Sequence, residues 1–318
     1  MAFDLYEIVK DAKTIGITGH TKPDGDCIGS CLAVYLYLKK RLPESTIEVF
    51  LEAPEPSFDH IPCRDVIQSD FPGRKAFDAF LVCDTNYERT GDARKYFEKA
   101  KITVNIDHHI SNAEGTGMHC YVRPEASATG EILCELLSHE YFDSDIAALL
   151  YMAIAHDTGV FRFSNAKPQT MRMAADLMEY PFDHAKLLDD TFFSCTNVQN
   201  RLVAQVLLNS RFYLGRRVIV GSVDLKQLKE LGATKSDTGV VVERLRNTEH
   251  VECAVFLYEK AEGLWKASLR SSVDHINVAK VGETWGGGGH VRAAGCDFNG
   301  SGEVFEAALI EEIGKQLS

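Results

Sequence analysis

The residues of this chain that could do chemistry fall into a few tight groups. His20, Asp24 and Asp26 place three metal-competent side chains within seven residues. Asp84 closes the apolar run FDAFLVCD at 77–84, and Asp107, His108 and His109 close KITVNIDHH at 101–109. Asp157 follows the apolar stretch 145–155. Brought together, such carboxylates repel one another unless protons or cations intervene, and bound metal is the expected remedy. Asp24, Asp26, Asp84 and Asp157 carry enough negative charge to offset two divalent ions, with His20 and His108 as neutral nitrogen ligands. A mixed oxygen and nitrogen set suits Mn²⁺ or a similar first-row ion better than Ca²⁺ or Mg²⁺. Two such ions activate a water-derived nucleophile and stabilise charge developing on a phosphoryl group, and Asp84 is placed to bridge them. Taken singly, each group has a plainer reading: an Asp at a strand end is commonly a turn former or helix cap, and a His pair commonly lies in a solvated loop. The combination carries the argument.

The elements that must position these groups are legible in the hydrophobic pattern. The first half alternates short apolar runs with amphipathic stretches, as β-α units around a parallel sheet do. Strands are expected at 14–20, 46–52, 77–84 and 101–109, and helices at 27–42, 128–142, 144–157 and 168–180, the last opened by Pro168. The candidate ligands then sit at the carboxyl ends of parallel strands, where open α/β sheets bind their ligands. A mostly polar helical stretch follows, and a strand-rich pattern begins at 216–224, continues at 251–259 and 264–272, and ends in the glycines 286–289. The fold class is therefore α/β: an N-terminal domain with a parallel sheet and flanking helices over 1–185 that carries the candidate metal ligands, a helical linker over 186–212, and a smaller α/β domain over 213–318.

The formal charge of −12 argues against an extended surface for long duplex nucleic acid, whose binding needs many Lys and Arg contacts. No apolar run reaches the roughly 18–20 residues of a membrane span, and the start lacks a secretory pattern, so a cytoplasmic protein without membrane contact is expected. Nine scattered cysteines form no CxxC pair, and most are expected to be small buried apolar side chains.

At the motifs the sequence becomes recognisable. GHTKPDGDCIGS (19–30), VCDTN (82–86), DHHISN (107–112) and AHDTGVFRF (155–163), with KASLRSS (266–272) and GGGGHVRAAGC (286–296), resemble the motifs of the DHH/DHHA1 phosphoesterase family, within it the nanoRNase and pAp phosphatase branch. The resemblance covers nearly the whole chain. It implies that His20, Asp24 and Asp84 hold one manganese and Asp26, Asp84, His108 and Asp157 the other. It further implies that Asp107 orients a histidine and that His109 faces the scissile phosphate. In the second domain Arg270, Gly287, Gly288, Gly289 and His290 become contacts to the nucleotide, the glycines leaving backbone N–H groups unshielded, with Arg162 a further phosphate contact.

The implied activity is a Mn²⁺-dependent exonuclease on short RNA oligonucleotides, with 3′-phosphatase activity on adenosine 3′,5′-bisphosphate (pAp). The alternatives are a phosphodiesterase for pApA, a pyrophosphate or polyphosphate hydrolase, and a silent nucleotide-binding protein. A homodimer is expected from the family alone.

Overall fold

The computed structural model describes residues 3–73 and 76–317, which divide into two compact units, Met1–Ser194 and Cys195–Ser318. The first unit opens with α1 (Leu5–Val9), β1 (Thr14–Thr18), α2 (Gly25–Arg41), β2 (Thr46–Phe50), β3 (Ile67–Gln68) and β4 (Ala79–Cys83). It continues through α3 (Arg94–Phe97), β5 (Ile102–Asp107), β6 (His119–Val122), α4 (Thr129–Leu136), α5 (Ser144–Asp157), α6 (Pro168–Leu177) and α7 (His184–Leu188). All strand pairs are parallel, in the order β3-β2-β1-β4-β5-β6. The order reverses between β1 and β4, so a crevice opens outside the carboxyl ends of those two strands.

Every residue of β4 is buried, as is β1 beyond Thr14, which is why both read as unbroken apolar runs rather than as alternation. Helix α5 is buried continuously from Ile146 to Ala155, the signature of a helix packed on all sides. Its start is fixed by Asp143, whose side chain accepts the Ile146 N–H at 3.0 Å. Two glycines let neighbouring helices close on it: a Cβ at Gly29 of α2 would lie 2.5 Å from the Leu149 carbonyl oxygen, and one at Gly130 of α4 would lie 2.6 Å from Ala153 Cβ. Truncating a fully buried residue here, such as Leu150, costs about 2–5 kcal/mol.

The expected strands run slightly long. β1 ends at Thr18 and β5 at Asp107, because the residues that follow leave the ladder to reach the crevice. The helix expected over 128–142 ends at Leu136. Leu137 is extended, and the His139 ring bonds to the Cys134 carbonyl at 2.8 Å while stacking on Phe142.

α7 runs into a π-helical turn, Asp189–Phe193, before the boundary between the units. In the second unit α8 (Asn197–Leu208) starts from a Thr196/Gln199 capping box and buries Leu202 and Val206. There follow β7 (Arg211–Tyr213), β8 (Val218–Val223), α9 (Leu225–Leu231), α10 (Val241–Arg246), β9 (Cys253–Ala261) and β10 (Leu264–Ser271). The chain closes with α11 (Val278–Glu283), β11 (Gly288–His290), β12 (Ala293–Asn299) and α12 (Gly302–Gly314). The sheet order is β11-β12-β10-β9-β8-β7, antiparallel except for β8 with β9. One face packs on Phe305, Leu309 and Ile313 of α12, the other on α8 and α10 through Val206, Val242 and Leu245.

Candidate metal centre

Asp24 is the N-cap of α2. Its Oδ1 accepts the backbone N–H groups of Asp26 at 3.0 Å and Cys27 at 3.1 Å, which leaves Oδ2 facing the crevice, 3.7 Å from His20 Nε2. The plain reading of this residue as a helix cap is therefore correct, and it coexists with the other: one oxygen caps and one is offered. Gly25 between the two acids is needed because a Cβ there would lie 2.8 Å from His156 Cβ.

Asp26 is fully buried. Its carboxylate accepts the backbone N–H groups of Thr129 (2.6 Å) and Gly130 (2.9 Å) at the start of α4, and the Ser30 hydroxyl at 3.1 Å. Asp84 follows the end of β4 in the left-handed region, φ 61°, a conformation rare for a residue other than glycine. Its Oδ2 lies 3.5 Å from His20 Nε2, and its Oδ1 3.5 Å from His108 Nε2 and 3.0 Å from the donating Thr129 hydroxyl. One carboxylate thus stands between two histidines with an oxygen toward each.

Both histidines are aimed by the backbone. A carbonyl can only accept, so His20 Nδ1 donates to the Thr21 oxygen at 2.9 Å and His108 Nδ1 to the Ala126 oxygen at 3.3 Å. Each Nε2 then faces the carboxylates, and in the neutral ring it is the nitrogen that carries the lone pair for a metal. His108 Nε2 is buried without a hydrogen-bond partner, 3.0 Å from Asp157 Oδ2 and 3.7 Å from Asp26 Oδ2.

The electrostatics expose the stress of the arrangement. Burial, then the charges of Asp157 and Asp24 against the opposing pull of His108, pushes Asp26 up to about 7. Burial and the neighbouring Asp26 push Asp84 well above the carboxylate range. Burial alone would lower His108, but Asp157 and Asp26 outweigh it and raise it to about 9. Together with the orphaned His108 nitrogen, this donor set fits divalent cations, with Asp84 between the His20 and His108 sides of the crevice. Ligand atoms of Asp26, His108 and Asp157 lie within 4.8 Å of one another.

Asp107 and His109 stand beside this set. Asp107 Oδ1 accepts the backbone N–H of His108 and bonds to His109 Nδ1, while Oδ2 accepts the Asn112 amide at 2.7 Å. Burial opposes ionisation of Asp107, yet His109 and Asn112 hold its pKa below the usual value. His109 is half-exposed and 3.7 Å from Asp84 Oδ1.

The sequence reading did not single out His156, whose Nδ1 is 3.8 Å from Asp24 Oδ2 and 3.4 Å from Asp157 Oδ1; its signal was its place beside Asp157 at the end of α5. Thr129 and Gly130 were missed because small residues at a helix start carry no chemical label. Arg162 is exposed, beyond a left-handed run at Gly159, Val160 and Phe161 (φ 57°, 56° and 62°).

In the second unit, Ala293 of β12 pairs with Arg270 on one side and His290 on the other. Directly opposed residues share a face of the sheet, so Arg270 and His290 point the same way with a small residue between them, about 10 Å apart across two strand spacings. Arg270 Nε bonds Glu243 Oε1 at 2.7 Å. The glycine run is partly strand rather than loop. A Cβ at Gly287 would lie 2.2 Å from the Gly295 carbonyl oxygen and one at Gly289 2.3 Å from that of Ala293, while Gly288 faces open space. Two of these glycines are thus required by the close approach of β12, whereas Gly288 is exposed and pairs with Gly295 without crowding.

Fold and site together define an α/β protein whose parallel sheet gathers carboxylates and histidines at a topological switch point. Comparison with known sequences agrees: the DHH family N-terminal domain matches residues 14–154 and the DHHA1 domain residues 215–318. A protein of Thermus thermophilus named bifunctional oligoribonuclease and PAP phosphatase NrnA is 32% identical over 93% of this chain and 88% of its own. Its namesake in Bacillus subtilis is 28% identical over 94% and 93%. The chain belongs to the DHH/DHHA1 phosphoesterase family. A crystal structure of an exopolyphosphatase-related protein from Bacteroides fragilis shares the fold, with a TM-score of 0.86 at 22% identity over 98% of this chain and 96% of that one.

Proposed function

We propose that this chain hydrolyses phosphate esters of short nucleotides, oligoribonucleotides of a few residues and pAp, with two divalent cations, Mn²⁺ matching the oxygen and nitrogen donors best. The observation that carries the reading is Asp84, buried between His20 and His108 with an oxygen toward each. The relatives' names, oligoribonuclease and PAP phosphatase, support the substrate class. Bound cations would supply charge stabilisation at phosphorus and activation of water.

The chain's own residues do the rest. The Thr129 and Gly130 N–H groups hold Asp26 in its orientation, and Thr158, whose hydroxyl bonds the Ile154 carbonyl at 2.7 Å, closes the helix end that carries Asp157. His109, oriented by Asp107, donates a hydrogen bond or proton to the phosphate being cleaved. Arg270 and His290 hold the phosphate or nucleotide that is not cleaved, with Gly288 offering its backbone. Arg162 adds a phosphate contact. This reading carries with it a cytoplasmic location and, by family likeness, a homodimer. No helix among the described residues is long and apolar enough to cross a membrane.

Purified protein supplied with Mn²⁺ and offered pAp, pApA, a five-nucleotide RNA and inorganic pyrophosphate tests the proposal. Turnover of pAp and the RNA is expected. Exclusive turnover of pApA would replace the oligoribonuclease reading with the narrower phosphodiesterase, and turnover of pyrophosphate alone would overturn the nucleotide assignment.

A further inference from the structure

Three of the nine cysteines gather beneath the metal centre. Cys27 and Cys31 lie one turn apart on α2, Cys83 ends β4, and all three are fully buried. Packing alone accounts for Cys31 and Cys83. Cys27 has a further relationship: its Sγ, a ring nitrogen of His20 and a carboxylate oxygen of Asp84 all lie within 4.8 Å of one another, and all three residues are buried. Room for the sulfur exists because residue 19 has no side chain, since a Cβ at Gly19 would sit 2.2 Å from Cys27 Sγ. Asp24 Oδ2 lies 3.7 Å from His20 Nε2, on the edge of this group rather than within it. Donors to one tetrahedral ion with bonds of about 2.0–2.3 Å stand roughly 3.5 Å apart, so movements of about 1 Å would bring the His20 nitrogen, an Asp84 oxygen and the Cys27 sulfur onto one cation.

We propose that Cys27 is a sulfur ligand to the cation held by His20, Asp24 and Asp84. The inference rests on the metal reading of this site. It makes the two cation positions chemically unequal: the position of Asp26, His108 and Asp157 offers only oxygen and nitrogen, whereas the Cys27 position favours a thiophilic ion such as Zn²⁺ or Co²⁺ over Mn²⁺ and Mg²⁺. Coordination forms a sulfur–metal bond and releases the thiol proton to solvent.

Cobalt titration of the chelator-treated protein separates this inference from the reading beneath it. Visible ligand-field absorption reports that cobalt is bound, and sulfur-to-cobalt charge-transfer absorption in the near ultraviolet reports that sulfur binds it. The wild type should show both. Cys27→Ala should keep the first, lose the second and bind Zn²⁺ at least about tenfold more weakly at this position, while Cys31→Ala and Cys83→Ala keep both bands. Cobalt bound without charge transfer, or charge transfer surviving Cys27→Ala, overturns the sulfur ligand and leaves the metal centre standing. No cobalt binding at all overturns both. X-ray absorption at the zinc edge of the wild-type protein needs no variant: a zinc–sulfur distance of about 2.3 Å is expected, and a shell of oxygen and nitrogen alone overturns the proposal.

Discussion

Asp107 holds His109 twice, through its ring and its backbone: Oδ1 lies 2.8 Å from His109 Nδ1 and accepts the His109 N–H at 3.1 Å. An amide in place of the carboxylate keeps one accepting oxygen but removes the charge that holds and polarises the ring. Asp107→Asn is expected to lower kcat about 10- to 100-fold, the usual scale for such orienting partners, with KM nearly unchanged. Steady-state hydrolysis of a five-nucleotide RNA measures it, and wild-type kcat would remove His109 from the mechanism.

Asp84→Ala should abolish hydrolysis, by about a thousandfold or more, because both cation positions share that carboxylate. Its effect on stability should run the other way. A buried acid without a cation is unfavourable, so the metal-free variant should melt no lower than the metal-free wild type. The stabilisation on adding Mn²⁺, about 2.7 kcal/mol at a hundredfold excess over Kd, should disappear, and with it the rise in Tm. Calorimetry with and without chelator reads both effects.

Away from the site, Asp78 ties down the start of β1. Its Oδ2 accepts the Lys13 and Thr14 N–H groups at 3.0 Å each, and Oδ1 pairs with Lys101 at 2.8 Å. The Lys101 bond, aided by those N–H groups, lowers its pKa to about 2. A depressed carboxylate stabilises the fold above its ordinary pKa of about 4 and loses that contribution as pH falls through about 2. Asp78→Asn should therefore cost about 1–2 kcal/mol at pH 7 and only a small fraction of that at pH 2, as measured by urea unfolding at both.

Gly289→Ala forces a Cβ to within 2.3 Å of a carbonyl oxygen at φ 150°, and a loss of about 1–3 kcal/mol is expected. Gly288→Ala, facing open space, should leave Tm nearly unchanged. Thermal unfolding of the pair distinguishes a structural glycine from an accessible one.

Arg270→Ala should raise KM for pAp about tenfold while leaving turnover of bis-p-nitrophenyl phosphate as it was, since that ester has no second phosphate to hold. Equal losses on both substrates would assign Arg270 to the fold, through its bond to Glu243.

Much of this architecture was legible because its physics is local. The continuous burial of β4 and α5 is written as unbroken apolar runs, and the ligands fall where those runs stop. What escaped depended on distance. β3 and β6 are too short to show a period, His156 gains meaning only through its approach to Asp24, and nothing in the sequence says that Asp84 takes a left-handed backbone. Cys27 looked like core because sulfur serves in either role, and only the position of His20 tells them apart. The glycine run was read for openness, whereas its pairing with β12 makes two of its members matters of clearance.

The bend after Asp157 carries a different kind of information. Gly159 takes its left-handed backbone freely, but Val160 and Phe161 hold about 1–3 kcal/mol each in theirs. Laboratory evolution for heat resistance alone should therefore exchange Val160 for glycine or asparagine. The same selection run with turnover demanded would show, by whether valine persists, how much the stiffness of that bend is worth to the enzyme.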